Sequence, residues 1–119
     1  MSFDPDTIIF LHNPGCSKSR TVRSLLDERE VPYQQRLYLD DPLSLDELAE
    51  LRGLLDRPAR EWVRSGESAY AESGLDVNAG EEAHLAAIVK HPVLLERPIV
   101  VYGGEARVGR PPTAILELF

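Results

Sequence analysis

"TIIFLHNPGCSKSRTVRSLLDEREVPYQQRLYL", residues 7–39, decides the architecture. "TIIFL" (7–11) is a short apolar run with β-branched residues, and "HNPG" after it is a turn signal, so the run reads as a buried strand. From Ser17 onward Val22, Leu25 and Leu26 recur at helical spacing, and Pro32 closes that helix. "YQQRLYL" (33–39) alternates as a strand does. Strand, helix and strand within about thirty residues form a βαβ unit. Such a unit calls for parallel strands and a right-handed crossover.

The middle of the chain reads as helical. "SLDELAELRGLL" opens with Ser44 and Glu47 at capping-box spacing, and Leu45, Leu48, Leu51 and Leu55 follow on one face. "PAREWVRSG" (58–66) predicts a helix begun by Pro58 and stopped at Gly66. "EEAHLAAIVKHP" predicts another, with Leu85, Ile88 and Val89 inward and Pro92 as its end. The C-terminal part changes character. Ile99–Tyr102, a Gly-Gly turn and a short strand at 106–108 make a β-hairpin. "PPTAILELF" then starts a last helix that packs Ile115, Leu116 and Phe119. With residues 40–95 set aside, what remains is the plan of a thioredoxin-like α/β domain: a mixed four-stranded sheet flanked by helices. We therefore expect one domain over residues 1–119 with a helical insertion at about 40–95.

Composition sets the outer bounds. The 119 residues are 43% hydrophobic and 28% charged, as in an ordinary soluble domain. No window approaches the run of about 18 apolar residues that crosses a bilayer. The N-terminus is acidic before a very short apolar run, which does not suit a secretion signal. A single cysteine forms no internal disulfide, so the expected location is the cytoplasm. The net charge of -7 speaks against nucleic acid or an anionic membrane as the main partner. Yet residues 7–26 hold Lys18, Arg20 and Arg23 and no acid, and Arg97, Arg107 and Arg110 cluster near the C-terminus.

That charge pattern surrounds the only thiol. Cys16 falls in the turn between the first strand and the first helix, where unpaired N–H groups and the helix dipole favour a negative charge. Cysteines in such places act as thiolates, the form that attacks. Lys18 and Arg20 act in the same direction. His12 either holds a proton and adds charge, or orders the loop through its second nitrogen. The alternative for Cys16 is a small buried hydrophobe, which a Pro-Gly turn flanked by Ser and Lys disfavours. A helix N-terminus also binds anions, and arginine completes an oxyanion site best because its planar fork meets two oxygens at once. No His or acid pair stands at ligand spacing for a metal, and no glycine-rich nucleotide loop is present.

Three motifs in this order, "HNPGCSKSR", "LERPIVV" and "GRPP", resemble the ArsC family. Its members are arsenate reductases that work with glutathione and glutaredoxin, together with close relatives of less certain activity, and the motifs here resemble most the arsenate-reductase-like branch. The resemblance covers nearly the whole chain and implies a thioredoxin-like fold with a helical insertion. It makes Cys16 the nucleophile and His12 the residue that helps keep it ionised. It assigns anion binding to Arg64, Arg97 and Arg110, with Arg57 and Arg60 as neighbours of the first. Pro98 matches a cis-proline beside the active cysteine, and Ser19 and Arg20 match the residues that shape the loop.

The implied substrate is arsenate or a similar small oxyanion. The implied reductants are glutathione, a co-substrate, and glutaredoxin; no bound cofactor or metal is expected. A single cysteine suits this route because the resolving thiol comes from outside. The thioredoxin-coupled arsenate reductases instead use several cysteines and a C-x5-R loop, and Val22 stands where that arginine would be. Two other readings remain open here. One is a regulatory module like the Spx proteins, although the residue three after Cys16 is Ser19 and not a second cysteine. The other is a general glutathione-dependent thiol reductase.

Overall fold

The first strand, β1 (Ile9–His12), runs through the centre of the sheet because its residues are apolar on both faces. Phe10 joins Val22, Leu26, Val100 and Ile115 on one side, and Leu11 joins Leu48, Trp62, Ile99 and Val101 on the other. The structure, a computed structural model, describes residues 3–55, 57–64, 66–76 and 78–119, apart from the side chain of Arg60. Helix α1 (Ser17–Glu28) returns the chain to β2 (Gln34–Leu37), which pairs parallel to β1 in the register His12 to Leu37. Strands β3 (Ile99–Tyr102) and β4 (Glu105–Val108) complete the order β2-β1-β3-β4, both pairings antiparallel. Their hairpin turns at Gly103 and Gly104, whose φ values of 63° and 79° suit residues without a Cβ.

Between β2 and β3 lie α2 (Leu45–Leu55), α3 (Ser68–Glu72) and α4 (Glu81–Lys90), with 3₁₀ turns at Ala59–Glu61 and Pro92–Leu94. The α2 capping box is formed as read: Glu47 N–H donates to Ser44 Oγ at 3.1 Å, and Ser44 N–H donates to Glu47 Oε1 at 3.0 Å. The fold is thus a thioredoxin-like sheet carrying a helical insertion. Among the described residues no helix is long and apolar enough to cross a membrane.

Four local expectations are corrected. Among the described residues of 58–66 no helix forms beyond the turn at Ala59–Glu61. Arg64 N–H donates to Leu94 O and Glu96 N–H to Trp62 O, at 2.7 and 2.8 Å, so bridging to a distant segment replaces the helical ladder. Leu45 is exposed, because the buried stripe of α2 is Leu48, Leu51 and Leu55. Val89 is exposed too; α4 buries His84 in its stripe instead, its Nδ1 lying 3.0 Å from Gly80 O. The last segment is 3₁₀, Pro112–Leu118, with Ile115 buried and Phe119 exposed and stacked on Tyr102.

Candidate active site

The loop after β1 folds through its own polar groups. Asn13 Oδ1 accepts the Gly15 N–H at 3.0 Å, and Asn13 O accepts the Cys16 N–H at the same distance. Cys16 then stands as the N-cap of α1, in extended conformation and partly exposed. No side chain caps this helix and its first turn holds no acid, so the amides there are left for another acceptor. Arg20 Nη1 donates to Pro14 O at 2.8 Å, clamping the loop across the turn.

His12 and Ser19 are buried beneath the loop. Nδ1 of His12 lies 2.6 Å from Ser19 Oγ, which also accepts the Asn13 N–H at 3.0 Å. Burial, reinforced by the nearby positive charges of Arg23 and Arg20, holds His12 below the usual histidine range. The ring is therefore neutral near pH 7. Of the two roles open to His12, this geometry favours ordering the loop over supplying a charge.

The arginines come from three segments. Arg64 is brought alongside residues 94–96 by the bridge between Val63 and Leu95. Arg97 and Arg110 each precede a cis peptide bond, to Pro98 and Pro111. Gly109 lets these two segments close on α1: a Cβ there would lie 2.8 Å from both Pro98 Cγ and Val22 Cγ2. Arg110 Nε donates to Arg97 O at 2.8 Å and lies 2.9 Å from Glu96 Oε1. Arg64 Nη1 donates to Glu67 Oε1 at 2.8 Å, and its Nε stands 3.8 Å from Glu96. Among the described residues the Arg97 guanidinium has only a distant ionic contact, 3.9 Å from Nη1 to Glu67. Three guanidinium groups thus meet two carboxylates and retain a net positive charge. A cleft of about 450 Å³ borders this cluster, lined by Glu96, Arg107 and Arg110 among others. Arg57 also lines it, while the side chain of Arg60 lies outside the described residues.

Tyr38 follows β2 at the same end of the sheet as the Cys16 loop, and the sequence reading did not single it out. It is 1% exposed, and its hydroxyl senses Cys16, Asn13, Arg64 and Glu96 together. Asn13 approaches the phenol without closing a hydrogen bond of good geometry. The missed signal was positional. β1 and β2 are parallel with His12 opposite Leu37, so Tyr38 follows the carboxyl end of β2 just as Asn13 follows that of β1. Ligands on open α/β sheets gather beyond those strand ends.

Unsatisfied polar atoms gather in the same place. Among the described residues the buried side-chain atoms without a hydrogen-bond partner are His12 Nε2, Tyr38 OH, Arg97 Nε, Arg97 Nη1 and His84 Nε2. All but the last belong to residues of this site. Such groups are rare in native proteins because each carries a desolvation penalty, and a ligand acceptor is one explanation for their persistence.

These features describe a thioredoxin-like fold with a lone, partly exposed cysteine at the N-terminus of α1 and three arginines grouped around Glu67 and Glu96. The sequence profile of the ArsC family matches residues 11–118. An arsenate reductase of Neisseria meningitidis serogroup A is 48% identical over 109 residues, 90% of this chain and 92% of that protein. The Escherichia coli K12 protein YfgD is 46% identical over the same shares of both. The solved structure of an arsenate reductase from Vibrio cholerae superposes with a TM-score of 0.90 at 39% identity, covering 98% of this chain and 100% of that one. The chain belongs to the ArsC family.

Proposed function

We propose that this protein reduces arsenate to arsenite through Cys16, with electrons from external thiols. One observation carries the reading: the end of β1, the start of β3 and the end of β4 meet at Leu11, Ile99 and Val108, so the Cys16 loop, Arg97 and Arg110 leave the sheet at the same end. Arg64 is drawn toward the segment before Arg97 by its backbone hydrogen bond to Leu94. In this reading Arg64, Arg97 and Arg110 bind arsenate oxygens, and the α1 amides take up part of the charge. The Cys16 thiolate attacks arsenic(V), an S–As bond forms, and one oxygen leaves as water after protonation. Glutathione displaces a second oxygen in the same way. A glutaredoxin thiolate then attacks the glutathione sulfur; the S–As bond to glutathione breaks, its electron pair stays on arsenic, and a mixed disulfide departs. Water releases arsenite from Cys16 and restores the thiol. Arsenic gains two electrons and two external thiols lose them. The cleft beside Glu96 and Arg110 is the approach we assign to the external thiol.

Turnover coupled to glutathione, glutaredoxin and their NADPH-dependent recycling tests this. Arsenate-dependent oxidation of NADPH is expected with the native chain and none with Cys16→Ser. Equal background rates for both proteins would refute the reading.

One observation favours a second substrate. Glu96 lies against Arg110 and lowers the positive charge offered to a dianion. That suits a glutathione mixed disulfide, whose γ-glutamyl end carries an amine beside its carboxylate. Turnover of a glutathionylated peptide without arsenate would establish it.

A further inference from the structure

We propose that Tyr38 is a substrate-binding residue of this site, its hydroxyl donating a hydrogen bond to an oxygen of the tetrahedral oxyanion held between Cys16 and Arg64. The inference deepens the function proposed above and rests on its assignment of the site to an oxyanion. It stands first on geometry. Tyr38 follows β2 at the sheet end where the Cys16 loop begins, and its ring is packed against Leu43, Ile88 and Leu95. The packing fixes where the hydroxyl points. That hydroxyl is buried and has no hydrogen-bond partner among the described residues, and the segments carrying Cys16, Arg97 and Arg110 leave the sheet at this same end. A buried donor without an acceptor costs stability, and a bound oxyanion supplies an acceptor at this point.

The protonation state agrees. Burial, followed by the negative charge of the Cys16 thiolate, pushes the phenol well above its usual range. Tyr38 therefore remains an O–H donor throughout the working pH range. It complements the arginines, since a neutral donor adds direction without adding charge. It also stays in place when the oxyanion becomes covalently attached to sulfur, because the ring is held by packing on rigid elements.

Tyr38→Phe tests this, because it removes one oxygen and keeps the ring. The readout is the concentration of arsenate, and separately of sulfate, that halves the rate at which iodoacetamide alkylates Cys16. Each variant is compared with its own rate without anion, so changes in intrinsic thiol reactivity cancel. The half-protecting concentration is expected to rise at least tenfold, about 1.4 kcal/mol. The melting temperature is expected to stay the same or rise, since a buried unpaired donor has been deleted. Unchanged protection would overturn the proposal. A lowered melting temperature with normal protection would overturn it equally, by showing a structural partner for the hydroxyl. Should both anions protect Cys16 and Tyr38→Phe weaken that protection while arsenate is not turned over, Tyr38 keeps its role and only the proposed reaction falls.

Discussion

At the scale of single residues, the site is organised by what its polar atoms lack. Among the described residues the Arg97 guanidinium has two buried nitrogens without hydrogen-bond partners and, as its one ion pair, a 3.9 Å contact with Glu67. Replacing an interior charge that is poorly paired costs little stability, and such replacements are often neutral. Arg97→Leu is therefore expected to leave the melting temperature nearly unchanged while raising the arsenate needed for half-protection by tenfold or more, the scale of a lost charge-assisted bond. Loss of stability with intact protection would make Arg97 a structural residue. Glu96 behaves in the opposite sense. Its carboxylate sits 2.9 Å from Arg110 Nε and 3.8 Å from Arg64 Nε, where it competes with an incoming anion. Glu96→Gln is expected to tighten sulfate protection of Cys16 several-fold, and weaker protection would show that Glu96 orients the arginines instead. Cys16 was legible in the sequence because a lone thiol in a Pro-Gly turn before a helix is a local pattern. Tyr38 was not, because its place beside Asn13 follows from the register of two strands and not from its neighbours in the chain.

At the scale of elements, local signals held where local bonds decide and failed where distant ones do. The Ser44–Glu47 box is wholly local and is formed. Ser44→Ala should cost about 1 kcal/mol, read by denaturant unfolding, and no change would mean the cap is idle. The stretch 58–66 carried a helix pattern, yet Trp62 and Arg64 give their backbone groups to the 94–96 segment. No periodicity within the stretch reveals that pairing. The spacing of α1, β3 and β4 depends on Gly109, where no side chain fits between Pro98 and Val22. Gly109→Ala is expected to destabilise by about 1–3 kcal/mol, the range for overpacking. It should also weaken anion protection, because Pro98 follows Arg97 and Gly109 precedes Arg110. A fully stable variant with normal protection would show that the helix and hairpin yield without disturbing the arginines.

At the scale of the whole molecule, an acidic chain with a net charge of -7 keeps Arg97, Arg110 and the loop of its thiol at one end of the sheet. Its stability should depend on pH in two stages. His12 is held below its ordinary value of 6.5, so the folded form binds fewer protons there than the unfolded form. Its contribution is complete above about pH 6.5 and fades as the pH falls below that point. Glu47 is held low chiefly by its hydrogen bond from Arg36, so its contribution is present above its ordinary value of 4.5 and is lost further down. Melting curves from pH 8 to 3 should show both stages, with His12→Asn flattening the upper and Glu47→Gln the lower. A single acid transition unaffected by His12→Asn would contradict the neutral histidine. The measurement that bears most directly on the central claim, that sulfur and arginines form one oxyanion site, is the alkylation rate of Cys16 against arsenate concentration. The account predicts saturable protection in the native chain that needs tenfold or more arsenate in Arg97→Leu and Arg110→Ala. A rate that does not respond to arsenate at any concentration would contradict it.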